Sequence, residues 1–130
     1  MARVDVATLR HFAKRALDAC LELPRRKSGG LSRLGQVEVV LVSDKRIAAI
    51  HQQFMNDAAP TDVITFQHGE IVISVETAKR QAQEFGTSVD QELRLYLVHG
   101  LLHLLGFDDK TAAAAKEMKR VQEKLVAEAS

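Results

Sequence analysis

At 130 residues and 14.4 kDa the chain has the length of one domain and no room for a second core. Its 46% apolar and 27% charged residues match an ordinary globular composition, against both a disordered chain and a membrane protein. Eighteen Lys and Arg against 17 Asp and Glu leave a formal +1, which excludes the bulk electrostatics of a strongly basic nucleic-acid module, and the single Cys20 excludes an internal disulfide framework or a Cys-rich zinc site.

The first residues, Met1 to Ala7, carry no apolar signal-like run, and Leu95–Phe107 is too short for a bilayer span and contains two histidines; a cytoplasmic protein without a membrane role is expected. A first helix is predicted over Ala7–Leu21, with Phe12, Ala16, Ala19 and Leu23 at helical spacing, Cys20 on the apolar side and Pro24 as its stop. Arg25–Gly35, rich in Gly, Ser and Arg, reads as a mobile connection. Gln36–Val42 is β-branched and reads as a largely buried strand, after which Ser43 caps a helix through Phe54 with Ile47, Ile50 and Phe54 on one face.

Thr61–Phe66 and Glu70–Ser74 read as two strands of an antiparallel hairpin, joined by Gln67, His68 and Gly69 with His68 facing solvent. A helix over Val75–Phe85 ends at Gly86. Ser88 and Gln91 form a capping box for the next helix, which runs through Leu93, Leu97, Leu101 and Leu105 to Gly106 and is expected to be largely buried. Thr111 caps a last helix towards Ala127. The expected class is α+β: a small mixed sheet of three strands, with Arg3–Val6 as a candidate short fourth, packed with about five helices in one domain over residues 1–130.

The chemistry is concentrated in His99-Gly-Leu-Leu-His103-Leu-Leu-Gly106-Phe-Asp-Asp109. On a helix, residues four apart share a face and lie about 6 Å apart along the axis, so two imidazoles at this spacing can approach one ion. Gly106 can end the helix and turn the chain so that Asp109 offers a third ligand, leaving a position for water. A histidine pair at this spacing arises by chance about 0.2 times in such a composition; adding the glycine and a further ligand lowers that to roughly 0.002. Asp108 is the rival third ligand, or an orienting group. Metzincin proteases share this ligand spacing but need a glutamate as general base directly after the first histidine, where this chain has Gly100.

The run His99 to Asp109 resembles the HGxLHLxGYDH signature of the YbeY family of bacterial rRNA maturation factors, metal-dependent endoribonucleases. Pro60-Thr-Asp-Val-Ile-Thr-Phe66 is similar to that family's PTDVLSF strand, Gly69-Glu-Ile-Val-Ile-Ser74 to its GDIVIS strand, and Val39-Val-Leu-Val-Ser-Asp44 to its earlier strand and helix entry, so the resemblance covers about Val37 to Leu125. It implies a zinc-dependent RNA hydrolase acting in rRNA maturation, with one ion per chain on His99, His103 and Asp109. The implied partners are rRNA or the ribosome, with ribosomal or ribosome-associated proteins.

Three positions depart from the family pattern. Asp109 replaces a third histidine, which adds negative charge at the ion, makes its water less acidic and also suits another divalent transition metal. Met55 stands where the family has an arginine proposed to hold phosphate, and the hairpin connection is short. No general acid or base stands out; Asp62, Glu70 and Asp108 are candidates because their motifs converge, and Arg25, Arg26, Lys27, Arg33, Lys45 and Arg46 are candidates for steering RNA. The competing readings are a ribosome-associated metal-binding scaffold with weak or no catalysis, favoured by Met55 and Asp109, and a degenerate metzincin-like protease, disfavoured by Gly100.

Overall fold

The computed structural model of the protein describes residues 4–23, 30–55 and 61–130, with the side chain of Ser32 left out. Helix α1 (Val6–Glu22) leads through a 3-10 turn at Leu31–Arg33 to strand β1 (Glu38–Val42) and helix α2 (Asp44–Met55). The hairpin β2 (Val63–Phe66) and β3 (Glu70–Ser74) follows, then α3 (Val75–Phe85), α4 (Val89–Leu105) and α5 (Ala112–Ala129). The architecture is the expected α+β one.

The sheet order is β1-β3-β2. β1 runs parallel to β3, Glu38 opposite Glu70 and Val42 opposite Ser74, and β2 runs antiparallel to β3, Val63 opposite Ile73 and Phe66 opposite Glu70. The period of two along β3 divides the core. Ile71 and Ile73 face the helical side with α1, α4 and α5, whereas Val72 joins Ile47 and Ile64 under α2. The central β3 is thus covered on both faces.

Helix α4 is buried nearly all round and packs against α1, α3, α5, β2 and β3, as an apolar helix without a polar face must. The expected capping box holds it: the Ser88 hydroxyl accepts from Gln91 N–H, and the Gln91 side chain accepts from Ser88 N–H. The predicted hydroxyl caps at Ser43 and Thr111 are also formed, accepting from Arg46 and Ala114 N–H. Cys20 is fully buried, and burial pushes its thiol up to about 12, so it is a core residue.

Three sequence expectations change. The candidate fourth strand at Arg3–Val6 is replaced by a helix start: the Asp5 carboxylate accepts from Thr8 N–H and α1 begins at Val6, Arg3 lying outside the described residues. β1 starts two residues later than expected, at Glu38, because its partner β3 begins at Glu70. The Arg25–Gly35 connection is packed at its C-terminal end, where Gly30 N–H donates to the Leu104 carbonyl and Leu31 is buried. Arg25, Arg26 and Lys27 lie outside the described residues.

Candidate metal centre

The last two turns of α4 carry His99 and His103 on the half-buried side of an otherwise buried helix. Their Nε2 atoms are 3.0 Å apart, and the rings meet nearly edge-on, with 77° between their planes. Two nitrogens on one zinc-like ion in tetrahedral geometry would lie about 3.3 Å apart, so the pair already has the separation that one cation requires.

Gly106 then terminates the helix at φ 111°, a left-handed conformation costly for any residue with a Cβ. Its N–H and that of Phe107 both return to the Leu102 carbonyl, which reverses the chain over the helix end, and Phe107 is buried as the anchor. The turn delivers Asp109: one ligand atom from each of His99, His103 and Asp109 lies within 4.8 Å of the others. Asp108 is engaged elsewhere, its Oδ1 accepting from Lys110 N–H at 3.0 Å.

Two histidines and a carboxylate around one point are a donor set suited to a divalent transition metal, and the exposed Asp109 leaves one side accessible. Burial, and then the neighbouring His99, push His103 below the ordinary imidazole value, with Asp109 pulling the other way. The net direction favours the neutral imidazole that ligation needs.

The sequence reading missed Gln122. Its Oε1 accepts a hydrogen bond from His99 Nδ1 at 2.7 Å, which places the proton on Nδ1 and leaves the Nε2 lone pair aimed at the site. Nothing local marks a glutamine on α5 for this role, since the two residues are 23 apart in sequence.

Two openings share His99. A cleft of about 290 Å³ is lined by His51 and Met55 of α2, by Thr61, residues 63 to 65 and Gln67 at the hairpin, and by His99 and His103. A smaller one of about 170 Å³ joins His99 and Asp109 to Lys119 and Gln122 of α5. His51 and Lys119 were given no role from the sequence.

Asp62 and Glu70 line neither cleft. Asp62 is exposed, its carboxylate accepting from Val63 N–H, and Glu70 stands 3.8 Å from the exposed His68. Arg33, Lys45 and Arg46 are exposed and also line neither cleft. Gly100 explains itself by packing: a Cβ there would come 2.8 Å from Ile71 Cγ2, so the position faces β3 and has no room for a protease-type glutamate.

The model of the family described as Endoribonuclease YbeY matches residues 2–130. The chain belongs to the YbeY endoribonuclease family. Among curated relatives, the Endoribonuclease YbeY of Nautilia profundicola is 43% identical over 98 residues, covering 69% of each chain. That of Frankia alni is 32% identical, covering 95% of this chain and 75% of its own. A Thermotoga maritima protein solved in solution superposes with a TM-score of 0.66 at 30% identity, over 98% of this chain and 85% of that one. Family membership supports a nuclease, and hence hydrolase, role. Among the described residues no helix is long and apolar enough to cross a membrane.

Proposed function

We propose that the protein is a zinc-dependent endoribonuclease that acts on rRNA during ribosome maturation in the cytoplasm. The observation that carries this reading is the convergence of His99, His103 and Asp109 within 4.8 Å, in a chain whose family is named for endoribonuclease activity. These three residues would hold one zinc ion, which when bound would polarise a phosphate oxygen and lower the pKa of water towards neutrality.

The chain's own residues set the terms for that chemistry. Gln122 fixes the tautomer and ring orientation of His99. The apolar flanks of α4 hold both imidazoles on a rigid support, which limits the conformations a ligand must be selected from. Asp109 adds a negative charge that favours cation capture and, relative to a third histidine, makes the centre a weaker acid; another divalent transition metal also suits this donor set. The proposed partners are rRNA or the ribosome, together with ribosomal or ribosome-associated proteins.

A second reading, a ribosome-associated scaffold with a metal site and little catalysis, is favoured by Met55, which stands on the cleft wall half exposed and offers no hydrogen-bond donor to a phosphate. Incubating metal-loaded protein with structured rRNA, with His99→Ala as control, separates the two. Metal-dependent cleavage lost in the variant supports the nuclease; rRNA binding without cleavage supports the scaffold. An unfolded polypeptide in a parallel reaction tests proteolysis, which is not expected.

A further inference from the structure

Helix α5 does more than supply Gln122. Its residues Ala115, Lys119 and Gln122 recur at helical spacing, so they share one face, and that face lines the opening of about 170 Å³ with His99 and Asp109. Lys119 is exposed and brings a positive charge to the rim of the ligand cluster.

Lys119 also borders a shallow groove on the outer face of α5, together with Ala113, Lys116, Glu117, Arg120 and Glu123. It is the residue common to both, so a strand leaving the ion on this side passes Lys119 and then meets Lys116 and Arg120. The two carboxylates do not cancel this row. Glu117, two residues from Lys119, is turned about 160° away round the helix. Glu123, in the next turn, forms no ion pair with Lys119 among the described residues, whereas Lys124 and Glu128, at the same spacing, stand 4.0 Å apart.

The support beneath Lys119 is rigid. Met118, Val121 and Leu125 are buried, the Thr111 hydroxyl caps the first turn of α5, and the Arg15 guanidinium donates to the Ala129 carbonyl in the last, at 2.6 Å. A divalent ion on two neutral imidazoles and one carboxylate keeps a net positive charge, though a smaller one than three neutral ligands would leave. The Lys119 ammonium adds charge of the same sign on the side that the exposed Asp109 leaves accessible. A phosphate is the kind of group such a pair of charges attracts.

We propose that Lys119 binds substrate directly, its Nζ donating to an oxygen of the phosphate next to the one held by the ion, with Lys116 and Arg120 guiding the RNA strand along α5. The role rests on the reading of the protein as an endoribonuclease, and it makes the outer face of α5 a wall of the RNA path.

The test uses the full-length, zinc-loaded protein and a fluorescein-labelled single-stranded RNA, comparing wild type with Lys119→Ala, Lys119→Arg and Lys124→Ala. The last variant removes a charge from the same helix outside both openings. RNA affinity at several salt concentrations, steady-state cleavage, zinc content and Tm are measured for each. For Lys119→Ala the expected Kd and KM rise about fivefold, between the worth of an exposed ion pair and that of a charge-assisted hydrogen bond. The slope of log affinity against log salt should become shallower by about 0.7, the share of one phosphate contact on a single strand. Lys119→Arg, which keeps the charge, is expected within about twofold of wild type with the wild-type slope, and Lys124→Ala likewise within about twofold. Zinc content and Tm should be unchanged in all three, whereas a lysine that only supported the fold would move Tm and leave the salt slope alone.

Unchanged affinity and salt slope in Lys119→Ala, with wild-type cleavage intact, overturns the proposal while leaving the nuclease reading in place. An equal loss in Lys119→Ala and Lys124→Ala also overturns it, by reducing the effect to the overall charge of α5. Loss of zinc in Lys119→Ala does so as well, by tying the residue to the metal site. Wild-type protein that neither binds nor cleaves RNA refutes the nuclease reading itself, and the role of Lys119 with it.

Discussion

Gln122 on α5 accepts a hydrogen bond from His99 on α4 at 2.7 Å, and through it the last helix of the chain sets the chemistry of the one before. Without this bond the His99 ring can rotate and exchange tautomers, each of which weakens ligation. Gln122→Ala is expected to lower metal affinity about tenfold or more with little loss of stability, Gln122 being half buried at the edge of the core. Competitive titration against a chromophoric chelator measures it, and unchanged affinity would show that the bond is incidental.

The two adjacent aspartates are expected to behave differently. Asp109 lies within reach of both histidine nitrogens, whereas Asp108 accepts from the backbone N–H of Lys110. Asp109→Ala should therefore lose most of its bound metal at limiting concentration, and Asp108→Ala should keep it. Elemental analysis of the purified variants, with His103→Ala as a reference, decides the assignment; the reverse order would make Asp108 the ligand.

Packing dictates the glycine between the ligand positions. At Gly100 a methyl group would meet Ile71 at 2.8 Å from Cγ2 and 2.9 Å from Cδ1, inside the main core. Alanine gains about 1 kcal/mol of helix propensity, but overpacking costs about 1–3 kcal/mol, so Gly100→Ala should be net destabilising. Gly100→Glu should not fold at all. Denaturant titration provides the measurement, and a Gly100→Ala protein more stable than wild type would mean that α4 can shift away from β3 freely.

Asp44 joins α2 to α3 and should make the fold acid-sensitive. The Arg80 guanidinium, and then the hydroxyls of Ser74 and Thr77 at 2.6 and 2.7 Å, hold its carboxyl at about 2, below the usual 3.8. Since the folded value is the lower one, the stabilisation is complete above the unfolded pKa and is lost as pH falls from about 4 to about 2. Asp44→Asn should cost about 1–2 kcal/mol at neutral pH, a modest sum because Arg80 is more than half exposed, and should flatten that acid limb. Urea unfolding of metal-free protein at a series of pH values tests both, and parallel acid limbs in the two proteins would rule Asp44 out as the group responsible.

Most of the fold could be read locally because its signals are local. The caps at Ser43, Ser88 and Thr111 are hydrogen bonds spanning three residues, and the helices between them repeat their apolar positions every three or four. The errors arose where a local signal competed with a partner elsewhere. Gln36 and Val37 look like strand, but β3 begins too late to pair with them. Val4 and Val6 suggest a strand, but Asp5 captures the Thr8 N–H and starts a helix instead.

By itself, the sequence determined the element order, the helical spacing of His99 and His103, the turn at Gly106 and the family to which the chain belongs. Each depends on residues close together in the chain or on long matching stretches. Tertiary structure alone decided that Gln122 accepts from His99, that His51 shares the histidines' cleft and that Gly100 faces Ile71, and it brought Asp109, the ligand expected from the spacing, within reach of both histidines. Those relationships follow from how α2, α4 and α5 pack around β3, and packing directions are set by the whole core, which no short window of residues contains.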